Sequence, residues 1–219
     1  INNSMEDKMK KTKNTYIEVI LKNLQENKKI YILLLIFLLI GIVLGVFFIN
    51  NSDEAQKNEV SEYINNFVTT LKNNNSIDKN ELINVSFKRN ILMGIILWFI
   101  GSTIIGLPLI YFFVLYKGLC IGYTISGAII ALGTGKGVCF CIGSILFHNI
   151  IFIPALFFIA VSSTKLCYAI MKNRTKENIK LEIIRHSILS IIAVLFFMLS
   201  SLIEVYISTN LLTFITKYI

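Results

Sequence analysis

The sequence predicts an all-α integral membrane protein with about five transmembrane helices, a cytoplasmic N terminus and one outer polar segment between spans 1 and 2. Three observations carry this reading. Hydrophobic residues make up 55% of the chain, above the roughly 45–50% usual in globular proteins, and mean hydropathy is +0.69. Charges are confined to blocks separated by long uncharged apolar runs, and lipid is the solvent that such runs require. Lysine and arginine concentrate in alternate polar segments, as the positive-inside rule demands of a multi-pass chain.

Residues 1–29 form a polar cytoplasmic segment with seven lysines against four acids. Ile17, Ile20, Leu21 and Leu24 recur at helical spacing, which predicts an amphipathic helix on the inner leaflet, with a loosely ordered tail as the alternative. Residues 30–49 are an unbroken apolar run, enough to cross a hydrocarbon core of about 30 Å. The long polar stretch before it, and an exit without a small-x-small cleavage site, fit an uncleaved signal anchor. Gly41 and Gly45 stand four apart on one face of this span, a spacing that allows close helix contact with a partner or a second copy.

Residues 50–90 carry six acids and five bases and are assigned outside the membrane. Tyr63, Ile64, Phe67 and Leu71, with Val60, form an apolar stripe at helical spacing ended by Asn73-Asn74-Asn75. Such a helix either binds a partner or packs back on the protein's own outer surface.

Residues 91–219 are read as four further spans. The run 91–116 is uncharged and contains Gly106-Leu107-Pro108; because proline removes a backbone donor, a single tilted and kinked span is expected, with two half-helices as the alternative. Lys117 then marks a short cytoplasmic turn. The following span, to Leu132, holds Gly118, Gly122 and Gly127, small residues that let it lie deep among its neighbours. A fourth span, 138–161, holds His148, Asn149 and Pro154. A basic cytoplasmic loop, 162–186, leads to a fifth span, 187–206, and a short outer tail. On this layout 14 of the 21 basic residues face the cytoplasm and 7 face outward. The basic loop could hold anionic membrane lipids, at about 1 kcal/mol per nearby charge, although topogenic charge alone accounts for it.

Several function classes are disfavoured. The net charge of +8 lies beside the spans and forms no continuous basic face interleaved with aromatics, so nucleic acid is not an expected partner. Metal-ligand, dinucleotide and P-loop motifs are missing, so neither a cofactor nor a metal is expected. Cys120, Cys139, Cys141 and Cys167 fall in or beside apolar segments and read as small packing residues. Only His148 and Glu204 are expected to be ionisable groups within the membrane, the first hydrogen-bonded to a neighbouring helix and the second capped near the outer end of its span. No set of acids and bases converges at depth on this reading, so an enzyme is not expected.

From Phe99 onward the chain resembles a known family. Phe99-Ile100-Gly101-Ser102-Thr103-Ile104-Ile105-Gly106-Leu107-Pro108, then Tyr116-Lys117-Gly118, then Gly122-Tyr123-Thr124, then Asn149 through Ile153-Pro154-Ala155, and more weakly Ile203-Glu204, resemble stage II sporulation protein M of endospore-forming bacteria. The series spans about the last three-fifths of the chain. A broader related family has Pro-His-Gly before a glutamate in its fourth span; Phe147-His148-Asn149 and Phe152 stand there instead, which argues against a proton or ion role. The resemblance implies a mother-cell membrane protein acting in engulfment with the peptidoglycan-degrading stage II sporulation proteins D and P. The expected function is a non-catalytic scaffold that holds them at the septal membrane. A channel or transporter subunit, with the Gly106 to Pro108 break near its pathway, is the alternative.

Overall fold

The computed structural model describes residues 23–72, 79–172 and 176–216. Among these, helix is the sole regular structure: α1 (Lys28–Asn50), α2 (Glu54–Lys72), α3 (Lys79–Gly101) and α4 (Gly106–Leu132), then α5 (Thr134–Met171), which contains a π turn at Ile142–Leu146. In α6, Lys176–Ile203 runs through a second π turn, Glu204–Ser208, into Thr209–Thr216. Five helices, α1 and α3 to α6, are long and apolar enough to cross a membrane. Their outward side chains, among them Val43, Phe47, Phe99, Phe112 and Ile191, are exposed, an apolar belt of the kind that acyl chains cover. The predicted N-terminal amphipathic stripe at Ile17, Ile20 and Leu21, and the Asn73-Asn74-Asn75 stop, lie outside the described residues.

The second and third spans differ from expectation. Residues 91–116 are not one kinked span, because α3 begins at Lys79, ends at Gly101 and is followed by a tight turn into α4. Thr103 Oγ1 accepts a hydrogen bond from the Gly106 amide at 3.0 Å, and a Cβ on Gly106 would overlap the Ile100 carbonyl. Pro108 is the third residue of α4, in the first turn, where a missing amide proton is harmless. The proline therefore starts a helix. Lys117, the expected loop residue, falls in mid-α4 as a consequence. The other end of α4 closes at Gly133, whose φ of 81° with ψ of 163° lies in a region essentially reserved for glycine.

The polar stretch 162–186 is also largely helical, since α5 runs on to Met171 and α6 begins at Lys176. His186 is buried: its Nδ1 is 3.1 Å from Ser162 Oγ and its Nε2 is 3.3 Å from the Trp98 carbonyl. Ser163 Oγ donates to the Gly101 carbonyl at 2.8 Å. These contacts tie α3, α5 and α6 together beside the α3–α4 turn.

Two apolar clusters hold the bundle. The larger joins α1, α3, α4, α5 and α6 through Leu38, Leu97, Val114, Phe152, Leu156 and Phe197. Phe152 and Phe197 stack with ring centroids 4.5 Å apart. The second cluster seats α2 on the ends of the spans, with Ile64, Val68 and Leu71 buried against Ala128, Phe140, Cys141 and Leu212. Of the two expected uses of the α2 stripe, the described contacts show packing on the protein's own surface. Phe67 meets Phe140 edge-on, while Tyr63 stays exposed.

Candidate functional site

Two faces of α4 organise the bundle. One is a glycine seam: a Cβ on Gly41 or Gly45 of α1 would overlap the Leu115 or Leu119 carbonyl of α4, and one on Gly118 or Gly122 of α4 would overlap the Leu38 or Ile42 carbonyl of α1. Four glycines at matching spacing thus let two backbones touch along two helical turns. The expected use of Gly41 and Gly45 in pairing with a partner or a second copy is corrected here, because the chain's own α4 already fills that face.

The opposite face of α4 borders a cavity of about 450 Å³ between α3, α4, α5 and α6. Asn90 on α3 and Lys117 on α4 both line it, and each stands 11 residues from the α3–α4 turn at Gly101 and Gly106. At 1.5 Å per residue that is about 17 Å, close to the middle of a core about 30 Å thick. Arg89, Lys117, His148 and Glu204 all line this space. The expectation that no acids and bases converge at depth is therefore overturned.

Glu204 is the hub. Arg89 Nη2 donates to both of its carboxylate oxygens, at 3.0 and 3.1 Å, and Ser86 Oγ donates at 2.6 Å. His148 Nδ1 stands 3.7 Å from the same carboxylate. The residue was expected near the outer end of its span, but α6 continues to Thr216, which leaves it at depth with Arg89 as its ion-pair partner. His148 meets its expected neighbouring helix: the Ser200 hydroxyl lies 2.7 Å from Nδ1 and donates to the His148 carbonyl at 2.9 Å. With its one proton used there, that hydroxyl accepts from Nδ1–H. Asn90 Nδ2 donates to Ser201 Oγ at 2.6 Å and to the Phe197 carbonyl at 3.1 Å. Both π turns lie at this level, one holding Glu204 and one ending just before His148, as such turns often do at functional sites.

Polar capacity remains unmet. Lys117 Nζ sits 4.3 Å from the Phe152 ring centroid, and no described carboxylate lies within 4.0 Å of it. A lysine at the centre of a membrane helix costs about 2.5–3.5 kcal/mol on insertion scales, whereas a cation–π contact returns about 0.5–2 kcal/mol. Asn149 Nδ2 donates to the Ile145 carbonyl at 2.9 Å, but its buried Oδ1 finds no partner, and neither does the buried Ser144 hydroxyl. Both residues line the cavity. A native interior leaves few such atoms; among the described residues Tyr31, Ser190 and Ser208 carry the others, outside this cavity.

The expected candidates therefore divide. Lys117, His148, Asn149 and Glu204 meet in the cavity, while Gly41, Gly45, Gly118 and Gly122 form the seam. Gly106 and Pro108 make the α3–α4 turn and do not line this cavity. Pro154 lies inside α5 two residues past Phe152 and lines no part of the cavity. Ser86, Arg89 and Asn90 were missed because they precede the apolar run. A signal existed: the buried residues Ser86, Asn90, Gly94, Leu97 and Gly101 keep helical spacing across the polar–apolar border.

Neither a curated protein nor a solved structure matches the chain. A family model does match, that of stage II sporulation protein M, over residues 34–209, a range that takes in the seam, the cavity and α2. The chain belongs to the stage II sporulation protein M family.

Proposed function

We propose that this sporulation membrane protein is a non-catalytic scaffold that anchors peptidoglycan-degrading partners at the septal membrane during engulfment. Stage II sporulation proteins D and P are the partners that the resemblance implies. The observation that carries the reading is the seating of α2. Ile64, Val68 and Leu71 clamp it onto the span ends, and Tyr63, on the flank of the helix beside them, is 75% exposed. A helix held this way offers a surface of fixed shape at little entropic cost on binding. The polar residues at depth join the spans through hydrogen bonds and one ion pair. Removing Lys117 and Arg89 from the charge count leaves the basic excess at the N-terminal side of α1 and between α5 and α6, which supports a cytoplasmic N terminus and an outward α2.

The test is photocrosslinking from Tyr63 in sporulating cells. Recovery of wall hydrolases is expected; recovery of none, with the protein present at its normal level, overturns the scaffold. A second reading, a channel or transporter subunit, is favoured by the charged cavity at mid-depth. Proteoliposome flux of a small ion that disappears in Lys117→Met is the result that would replace the first reading with the second.

A further inference from the structure

The cavity is open on one side. Arg89 of α3 and Tyr116 and Thr124 of α4, all within the spans, are exposed at its edge. Thr124 also borders a second groove formed with Glu59 and Tyr63 of α2. The cavity and this groove meet at Thr124 and together form a furrow along α4, on the face turned away from the glycine seam. Its inner end holds two cations, Arg89 and Lys117, against one carboxylate, Glu204. That carboxylate already takes Arg89 and Ser86.

We propose that this furrow receives a transmembrane helix of a partner protein, and that one carboxylate at mid-depth on that helix pairs with Lys117. The inference rests on the scaffold reading and names its intramembrane contact. Charge and depth select the occupant. The surplus is positive and Lys117 lacks a close carboxylate, so the occupant is anionic. Lipid headgroups stop short of the middle of the hydrocarbon core. A second copy of this chain is unsuitable, because among the described residues the acid in mid-span is Glu204, and Arg89 engages it. An acidic side chain carried by a helix meets both conditions. The same helix could place a donor near Asn149 Oδ1, which has none of its own.

The test uses the full chain in liposomes with a photocrosslinker at Tyr116. The probe is a polyleucine transmembrane peptide carrying one central glutamate, compared with otherwise identical peptides carrying glutamine or leucine there. The glutamate peptide should crosslink at least tenfold more than the leucine peptide. That excess should vanish in Lys117→Met and persist in Lys117→Arg, with both variants keeping the parent's helicity and particle size. Equal crosslinking of all three peptides, or indifference to Lys117→Met, overturns the proposal, as does crosslinking confined to lipid or to a second copy. In sporulating cells the Tyr116 crosslink should map to an apolar segment bearing Asp or Glu. If Tyr63 captures a wall hydrolase while Tyr116 captures no such segment, the intramembrane contact fails and the scaffold stands. If Tyr63 captures none, the scaffold itself fails.

Discussion

The two faces of α4 solve opposite problems. On the α1 face, Gly41, Gly45, Gly118 and Gly122 remove every side chain that would keep two backbones apart. On the cavity face, Tyr116, Lys117, Cys120 and Thr124 line a space of about 450 Å³ between α3, α4, α5 and α6. Lipid supplies little hydrophobic force to join helices, so contact must come from close packing or from polar bonds. The first face uses packing alone and is complete within the chain. The second uses Arg89, Ser86 and Glu204 to fix its rim, and it remains polar and incompletely bonded. One helix thus carries a packed seam on one side and a polar cavity on the other.

The sharpest way to break the comparison is to fill the seam. Gly118→Leu should cost about 3 kcal/mol or more, because the new side chain meets the α1 backbone, which cannot rotate away as a side chain can. Reversible unfolding in mixed micelles measures this. Gly135→Ala serves as the control, with nothing within 4 Å and stability unchanged or slightly raised.

Breaking the rim of the crevice should have a smaller effect. Glu204→Gln removes the ion pair and leaves Arg89 and Lys117 without a nearby anion. For a fully buried pair such a loss runs to roughly 3–5 kcal/mol, and half-exposed Arg89 lowers the expectation to about 2 kcal/mol. The same unfolding assay reads it, with lost crosslinking between paired cysteines on α3 and α6 as a second sign.

Removing the unpaired cation sharpens the comparison by reversing its sign. Lys117→Met should stabilise the isolated protein by about 1 kcal/mol, since the cost of a central charge exceeds what the Phe152 ring returns. That result would mark Lys117 as a residue whose place in the cavity costs stability, as functional groups often do. A drop in stability would instead mark Lys117 as structural. The smallest effect is expected at Ser201→Ala, which removes one hydrogen bond from Asn90 and should cost about 0.6 kcal/mol, the average for bonds between membrane helices.

Much of the architecture was legible because lipid imposes a single coarse rule. Apolar length gave the helix class and the span count, and the spacing of Gly41 and Gly45 gave a close helix contact, though not the identity of its partner. The errors share one cause. From sequence a charged residue marks the membrane edge, which puts Lys117 in a loop, residues 79–90 outside and a kink at Pro108, where the structure instead begins α4. Charges that neutralise one another across helices can lie at depth, and pairing between Arg89 and Glu204, 115 residues apart, leaves no trace in local composition. The two serines that bind His148 and Asn90, Ser200 and Ser201, are equally silent, since serine is ordinary in a membrane helix. The outer stripe on α2 was legible as a face; whether it met the protein itself or a partner depended on where α4, α5 and α6 end.

The most direct test of convergence at mid-membrane is a charge exchange at the rim. Arg89→Glu and Glu204→Arg, made singly, should each lower stability, because each places like charges together. Made together they should restore most of it, with a coupling of about 2 kcal/mol in a double-mutant cycle. If the exchanged protein is no more stable than the poorer single variant, or if the single reversals are harmless, the two residues do not meet within the membrane and the account of the cavity is wrong.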